Sequence, residues 1–323
     1  MQLIMCAKVT FAAIRNRPQI VIKKITRIHI ESTWKELTGK ATITLARNVA
    51  YFDKYNVKEV FQGGDPVQIE LGYDGEYYQE FVGYVSKVAA DIPIVIQCED
   101  EMYKLKRIPV NYVTKGTTLD GFLKSICPGY TVNALENVKL GSIRLAKTTV
   151  AKALEKLEQD FALHSFMRGK TLVCGKYYAD DAQVTPIDFD LEKTAVSNAL
   201  NYRTKDSVII QIKGTSILAN GQKITCEFGI EGGDKLDLTY YNIKLKAELE
   251  HLVKQDYDKR IADGFDGSFT AFGSPTIRHG QKVKLTSSLY PDREGIYYVE
   301  GVTKDFSDDA TYRQIIKLGD KAA

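Results

Sequence analysis

Over residues 1–100 apolar and polar side chains alternate, and a two-residue period of that length cannot be accommodated on an amphipathic helix. "QIVIKKITRIHIEST" puts Ile20 and Ile22, then Ile28 and Ile30, in alternating positions. "KATITLARN" does the same with Ala41, Ile43 and Leu45, and "DPVQIELGY" with Val67, Ile69 and Leu71. "YYQEFVGYVSKV" and "IPIVIQCED" continue the pattern. Runs rich in β-branched and aromatic residues read as half-buried antiparallel strands. The short polar stretches "YDGEY" and "AADIP" suit hairpin connections. Six strands so spaced predict a small barrel or sandwich, assigned to residues 1–108.

The same rhythm returns at the other end of the chain. "FQGGDPVQIELGYDGEYYQEFVGYVSK" (residues 61–87) is answered by "RHGQKVKLTSSLYPDREGIYYVEGVTK" (residues 278–304). Gly64, Val67 and Ile69 align with Gly280, Val283 and Leu285. Phe81, Val82 and Val85 align with Tyr298, Val299 and Val302, which leaves Gly83 without a matching glycine. A closing apolar strand follows each unit, Ile92 to Ile96 and Tyr312 to Leu318. A second barrel is therefore expected over residues 195–323, built also from "DSVIIQIKG", "QKITCEFG" and "KLDLTYYN". It would carry one amphipathic helix over 243–263, with Leu245, Leu249, Leu252 and Ile261 as its apolar stripe and Gly264 as its C-cap. Between the barrels, residues 109–194 change to helical spacing. Leu119, Phe122, Leu123 and Ile126 follow a Thr117 or Thr118 cap, and Val150, Leu154, Leu157 and Phe161 follow another threonine. "HSFMRGKTLVCGKY" reads as a hairpin turning at Arg168-Gly169. The expected fold class is mainly β: two similar tube-type antiparallel β-barrels with a small α+β insert.

The 323 residues suffice for two or three domains. With 44% hydrophobic and 26% charged residues the profile is that of a soluble globular chain. Forty-four basic against forty-one acidic residues leave +3, and no basic block points to a phosphate-binding surface. Cys6, Cys98, Cys127, Cys174 and Cys226 are scattered and never form a CxxC pair, which argues against zinc and against a disulfide framework. They read as small buried hydrophobes in a reducing compartment. The first residues lack the charged start of a signal peptide, and no apolar run approaches the ~20 residues that cross a bilayer.

No catalytic signature stands out. His29, His164, His251 and His279 are isolated from one another, and a lone histidine is more often structural than a ligand or base. There is no HExxH and no GxSxG. "QGGDP" and "IEGGDK" do not continue as phosphate loops and read as tight turns. Glu99, Asp100 and Glu101 are consecutive, so along a strand they face opposite ways and read as a solvated strand end rather than a carboxylate pair. Nineteen tyrosines against one tryptophan, Trp34, include the doublets Tyr77-Tyr78, Tyr177-Tyr178, Tyr240-Tyr241 and Tyr297-Tyr298. Tyrosine combines a large ring with a polar tip, so an interface reading is preferred over a nucleic-acid stacking platform, which needs a basic groove. No catalytic residue, cofactor or metal is expected.

Three segments resemble the late control protein D and baseplate hub family of phage tails, and the N-terminal hub part of type VI secretion spike proteins. They are residues 61–88 with "IVIQCEDEMYKLKR", "TTVAKALEKLEQDFALHSFMRGKTLVCGK", and the closing stretch from "DGFDGSFTAFGSP" to "TYRQIIKLG". The resemblance implies two tube-like barrels per subunit and a homotrimer, so that three copies close a ring of six similar barrels. It implies a structural adaptor between a sixfold tail tube and a threefold central spike. The implied partners are the tail tube protein, a spike and other baseplate proteins, in a virion tail assembled in the bacterial host cytoplasm. Some relatives continue into a spike or a lysozyme-like domain. Here the chain ends at Ala323, so the spike is expected to be a separate protein. Two other readings compete: a carbohydrate-binding β-module using exposed tyrosines, and a cell-wall hydrolase in which folding brings together acids such as Asp65 and Glu99.

Overall fold

The computed structural model describes residues 4–14, 17–46, 60–89, 93–135, 138–175, 185–261, 263–291 and 294–322. The alternation over the N-terminal region becomes β1 (Met5–Phe11), β2 (Ile20–Ile22), β3 (Arg27–Thr33), β4 (Lys40–Leu45), β5 (Pro66–Tyr73), β6 (Glu76–Ala89) and β7 (Ile94–Glu99). Their side-by-side order is β2-β1-β5-β6-β7-β4-β3. Inward residues from both ends of this series, among them Val9, Phe11, Ile28, Ile30, Ile43, Ile69 and Ile96, share one buried cluster. The sheet is therefore curled around a single core rather than spread flat. Ile92, expected in the closing strand, and Tyr177-Tyr178 lie outside the described residues.

The middle of the chain forms α1 (Met102–Leu105), β8 (Pro109–Thr114), β9 (Thr117–Thr118), α2 (Leu119–Ile126), β10 (Thr131–Ala134), β11 (Lys139–Leu140), β12 (Ile143–Thr149), α3 (Val150–Phe161), β13 (His164–Arg168) and β14 (Thr171–Gly175). Both threonine caps are present. Thr118 accepts from Gly121 N–H at 3.2 Å and Thr149 from Lys152 N–H at 3.4 Å. Leu119, Phe122, Leu123 and Ile126 pack against Val150, Leu154 and Leu157. β13 and β14 form the expected hairpin, with Gly169 at φ +59° in the turn.

The rest of the chain supplies β15 (Ile187–Asp190), β16 (Ala195–Arg203), β17 (Ile210–Ile217), β18 (Lys223–Gly229), β19 (Asp234–Tyr241), α4 (Lys246–Arg260), β20 (Gly264–Phe272), β21 (Lys282–Thr286), β22 (Gly295–Ser307) and β23 (Thr311–Lys321). Three expectations need correction here. β17, β18 and β19 do not join the second barrel; they form a separate three-stranded sheet. α4 covers it with Leu249 and Val253. Leu245 is the helix N-cap and is 67% exposed, so it leaves the apolar stripe. Gly264 opens β20 instead of ending the helix, whose C-cap is Ile261.

The remaining strands run β15-β21-β22-β23-β20-β16. In chain order this is first, fourth, fifth, sixth, third, second. The first unit, leaving aside short β2, follows the same permutation: β1-β5-β6-β7-β4-β3. The units differ at one strand, because β1 is antiparallel to β5 while β15 is parallel to β21. β15 also lies within the range expected for the insert, yet it pairs with the second sheet.

The repeated turn is closed identically in both. Gly64 N–H donates to Val85 O at 2.8 Å and Val85 N–H to Asp65 O at 2.9 Å. Gly280 N–H donates to Val299 O at 2.8 Å and Val299 N–H to Gln281 O at 2.9 Å. The structural equivalents are therefore Val85 and Val299, with Gly83 matching Tyr297. This corrects the sequence alignment by three residues, an odd slip that had matched side chains of opposite faces: Val82 is exposed, whereas Val85 and Val299 are both buried. Gly64 and Gly280 sit at φ +92° and +85°, a region that L side chains disfavour by about 1–2 kcal/mol. Gly64→Ala and Gly280→Ala are each expected to lower stability by about that amount in urea denaturation, and by similar amounts, since the two turns do the same job.

Candidate functional site: the seam between the two units

One ladder joins the two halves of the chain. β22 is long enough to pair with β21 over Gly295–Tyr298 and then, farther along, with β3 of the first unit. The antiparallel register runs from Gly301 opposite Thr33 to Ser307 opposite Arg27. The result is one 13-stranded sheet through both units. Phe306 and Tyr312, at the tip of the β22–β23 hairpin, enter the core of the first unit.

Polar contacts lock the seam at three places. On its outer side His29 Nδ1 lies 2.8 Å from Asp305 and its Nε2 lies 3.0 Å from Glu31, with Arg27 3.1 Å from the same Asp305. Burial pushes the His29 pKa down, but the two carboxylates more than offset this and hold it above the ordinary 6.5. Nearby, Glu300 accepts from Lys35 at 2.8 Å and Lys317 at 2.6 Å.

The second lock is buried. Glu80 of β6 pairs with Lys304 of β22, both almost fully covered. Thr276 donates to Glu80 at 3.0 Å and Tyr312 donates to it at 3.1 Å. Desolvation drives the Lys304 ammonium below its usual range, against the pull of Glu80. Tyr73 of β5 adds a bond across the units, donating to Tyr312 O at 3.0 Å while accepting from Gly273 N–H at 3.1 Å.

The third lock joins all three parts of the chain at His279, which is 5% exposed. Arg168 of the insert approaches Nε2 at 2.9 Å and also donates to His279 O. A guanidinium can only donate. Nε2 must then be the acceptor, so Nδ1 carries the proton and donates to Ser32 Oγ of the first unit. Burial, and then the charge of Arg168, hold His279 neutral, with its pKa well below the ordinary 6.5. Phe166 meets the His279 ring edge-on at 4.8 Å. Trp34, Phe166 and Val173, with Leu135 and Tyr298 against them, form an apolar cluster of the same three-part origin.

The acidic triplet is not a solvated strand end. Asp100 accepts from Gly39 N–H at 2.8 Å and Met102 N–H at 2.9 Å. Glu101 is buried, where Tyr84 and Tyr130 donate to it at 2.8 and 3.0 Å, tying the first unit to the insert. Asp65 and Glu99 are each held by a cation, Arg17 at 3.1 Å and Lys106 at 2.8 Å. Three tyrosines of these doublets serve internal joints. Tyr240 donates to Asp256 at 2.6 Å, Tyr241 to Phe161 O across to the insert, and Tyr297 accepts from Phe265 N–H at 2.8 Å. Tyr78, 39% exposed, stands apart from these. Among the described residues no group of histidine, cysteine and acidic side chains could hold a metal ion, and no helix is long and apolar enough to cross a membrane.

Neither family models nor curated proteins match this sequence. Solved structures do. A tail protein from Neisseria meningitidis MC58 is 14% identical, with 98% of this chain and 96% of that chain covered and a TM-score of 0.63. The 43 kDa tail protein of prophage MuSo2 from Shewanella oneidensis is 14% identical over 98% of both chains, with a TM-score of 0.65. An E. coli type VI secretion component, described as similar to the T4 tail proteins gp27 and gp5, is 9% identical over 97% of this chain and 76% of its own, with a TM-score of 0.57. The expected likeness to phage tail and secretion hub proteins therefore holds for the fold.

Two outcomes test the locks. Lys304→Met leaves Glu80 buried without its cation and is expected to cost about 3–5 kcal/mol in urea denaturation, part of it recovered by adding Glu80→Gln. The histidines should show opposite pH signatures. His279, whose folded pKa is lowered, favours folding fully above 6.5 and loses that contribution as pH falls. His29, whose folded pKa is raised, contributes fully below 6.5 and loses it as pH rises through the elevated value. Relative to wild type, His279→Asn should therefore flatten the loss of stability toward pH 5. His29→Asn should cost more at pH 6 than at pH 8.5.

Proposed function

We propose that the chain is a structural hub of a phage tail baseplate, or of a related contractile injection machine, that joins a sixfold tube to a threefold spike as a homotrimer. The observation that carries this reading is the repeated strand permutation, β1-β5-β6-β7-β4-β3 and β15-β21-β22-β23-β20-β16, fused through β3 and β22. A protein with two like units per chain presents six similar surfaces when three copies close, while keeping only threefold identity. The tail-protein fold of the solved neighbours supports the same reading.

On this reading the chain divides much as its sequence pattern suggests. The first unit takes residues 1–108. The insert follows from 109, with β15 given to the second unit because it pairs there, and the β17–β19 sheet with α4 is an elaboration between β16 and β20. The partners are the tail tube protein, a central spike and neighbouring baseplate proteins, in an assembled virion tail. The buried ion pairs and the neutral histidine fit a part whose work is to hold shape.

Light scattering on the purified protein across concentration, alone and with tail tube protein, tests the proposal. A particle with the mass of three chains that co-sediments with tube rings is expected. A chain that stays monomeric at every concentration and ignores the tube contradicts it.

A further inference from the structure

The insert and the β17–β19 sheet touch at two ties and leave a cleft between them. At one tie Gly141 lies so close to Ala219 O, in the β17–β18 turn, that a Cβ there would collide with it. At the other, Tyr241 of β19 donates to Phe161 O at the end of α3. The cleft has a volume of about 370 Å³, and its lining runs from Ser142, beside the first tie, to Phe161 at the second. Alternation explains what the sheet contributes. On β18, Ile224, Cys226 and Phe228 pack with Leu249 and Val253 of α4, so Lys223 points to the opposite face. Ile217 of β17 stands opposite Lys223 and is buried, yet it lies outside the α4 cluster. It shares the floor of the cleft with Leu145, Leu157 and Phe161 of the insert.

Three cations stand at the rim of this apolar floor: Arg144, Lys156 and Lys223. Lys156 is held by Asp160 at 2.7 Å. Arg144 and Lys223 are exposed, and among the described residues neither side chain has an ion pair or a hydrogen bond. In a chain whose whole net charge is +3, two uncompensated cations at one cleft are a local excess. Low-dielectric walls concentrate the field of like charges in a concave site. The matching chemistry is an anion attached to an apolar group.

We propose that this cleft captures the C-terminal residue of a partner polypeptide, its apolar side chain on the floor and its free α-carboxylate at Arg144 and Lys223. Charge-assisted hydrogen bonds to a carboxylate are the strong ones, and capture of a chain end is a recurring mode of peptide recognition. A chain end fits better than a segment passing through, because a tie stands at each end of the lining. It fits better than an acyl chain, because the volume is near the lower limit of ligand sites. That the partner is a neighbouring tail protein rests on the hub reading above; the capture itself does not.

Saturation-transfer NMR titrations of the full chain test this, with acetyl-Ala-Ala-Leu and acetyl-Ala-Ala-Phe as probes and the same tripeptides amidated at the C-terminus as controls. At least one free acid should bind, and its amide about tenfold more weakly. Arg144→Glu and Lys223→Glu change exposed positions and should each weaken binding of the acid by about tenfold. Asp160→Asn releases Lys156 and should tighten binding, a gain that mere damage to the fold would not produce. Failure of both acids to bind, equal binding of acid and amide, or charge reversals without effect overturn the proposal. So does binding of decanoate where neither peptide binds, which would make the cleft an acyl-chain site. A chain that stays monomeric and ignores the tail tube protein, yet captures the peptide, overturns the hub reading alone.

Discussion

The structure depends on the backbone ladder between β3 and β22. Each curled sheet ends in a strand whose amide and carbonyl groups need partners, and unpaired edges invite uncontrolled association. Joining the edge of the first unit to the overhanging half of β22 gives the β3 edge its partners, and it does so within one chain. That requires β22 to outrun its hairpin partner β21, and it does: it extends from Gly295 to Ser307, while β21 covers only its first residues. The excess length is what makes two units into one sheet.

A ladder alone tolerates slippage by two residues, because that shift keeps each side chain on its face. The polar locks remove this freedom. Glu80 finds Lys304, His29 finds Asp305, and Ser32 finds His279 in one register only. Buried ion pairs add little net stability compared with apolar packing, and their better-attested use is to specify arrangement. The tautomer of His279 adds a further constraint. The ring is satisfied only when the insert's Arg168 and the first unit's Ser32 are both present, so three parts of the chain are fixed together at one imidazole.

Much of this fold is written in local pattern. Alternation identified the strands of the first unit, threonine followed by helical spacing identified α2 and α3, and Arg168-Gly169 marked a hairpin. The duplication was also visible, although its register was not, since Phe81-Val82 and Tyr84-Val85 offer the same aromatic and aliphatic pairing to a sequence comparison. Long-range partnership left no local trace. β17–β19 alternate as barrel strands do, yet α4 supplies their core and removes them from the barrel. Glu80, Lys304 and His279 look like surface residues because nothing in their neighbours shows which partner, as many as 247 positions away for His279 and Ser32, will cover them. The one hint was the odd presence of a charge in an otherwise inward-facing strand position, as at Lys304 between Val302 and Phe306.

On the proposed hub reading, a sheet unit repeated within one chain suits an adaptor between two symmetries. The most direct test is an end-on image of the purified oligomer by electron cryomicroscopy, at a resolution that separates strands. It should show six like sheet units around one pore, in three chains, with the two units of each chain adjacent and joined through β3 and β22. A ring in which those two units are separated, or a particle with any other number of units, would contradict the account.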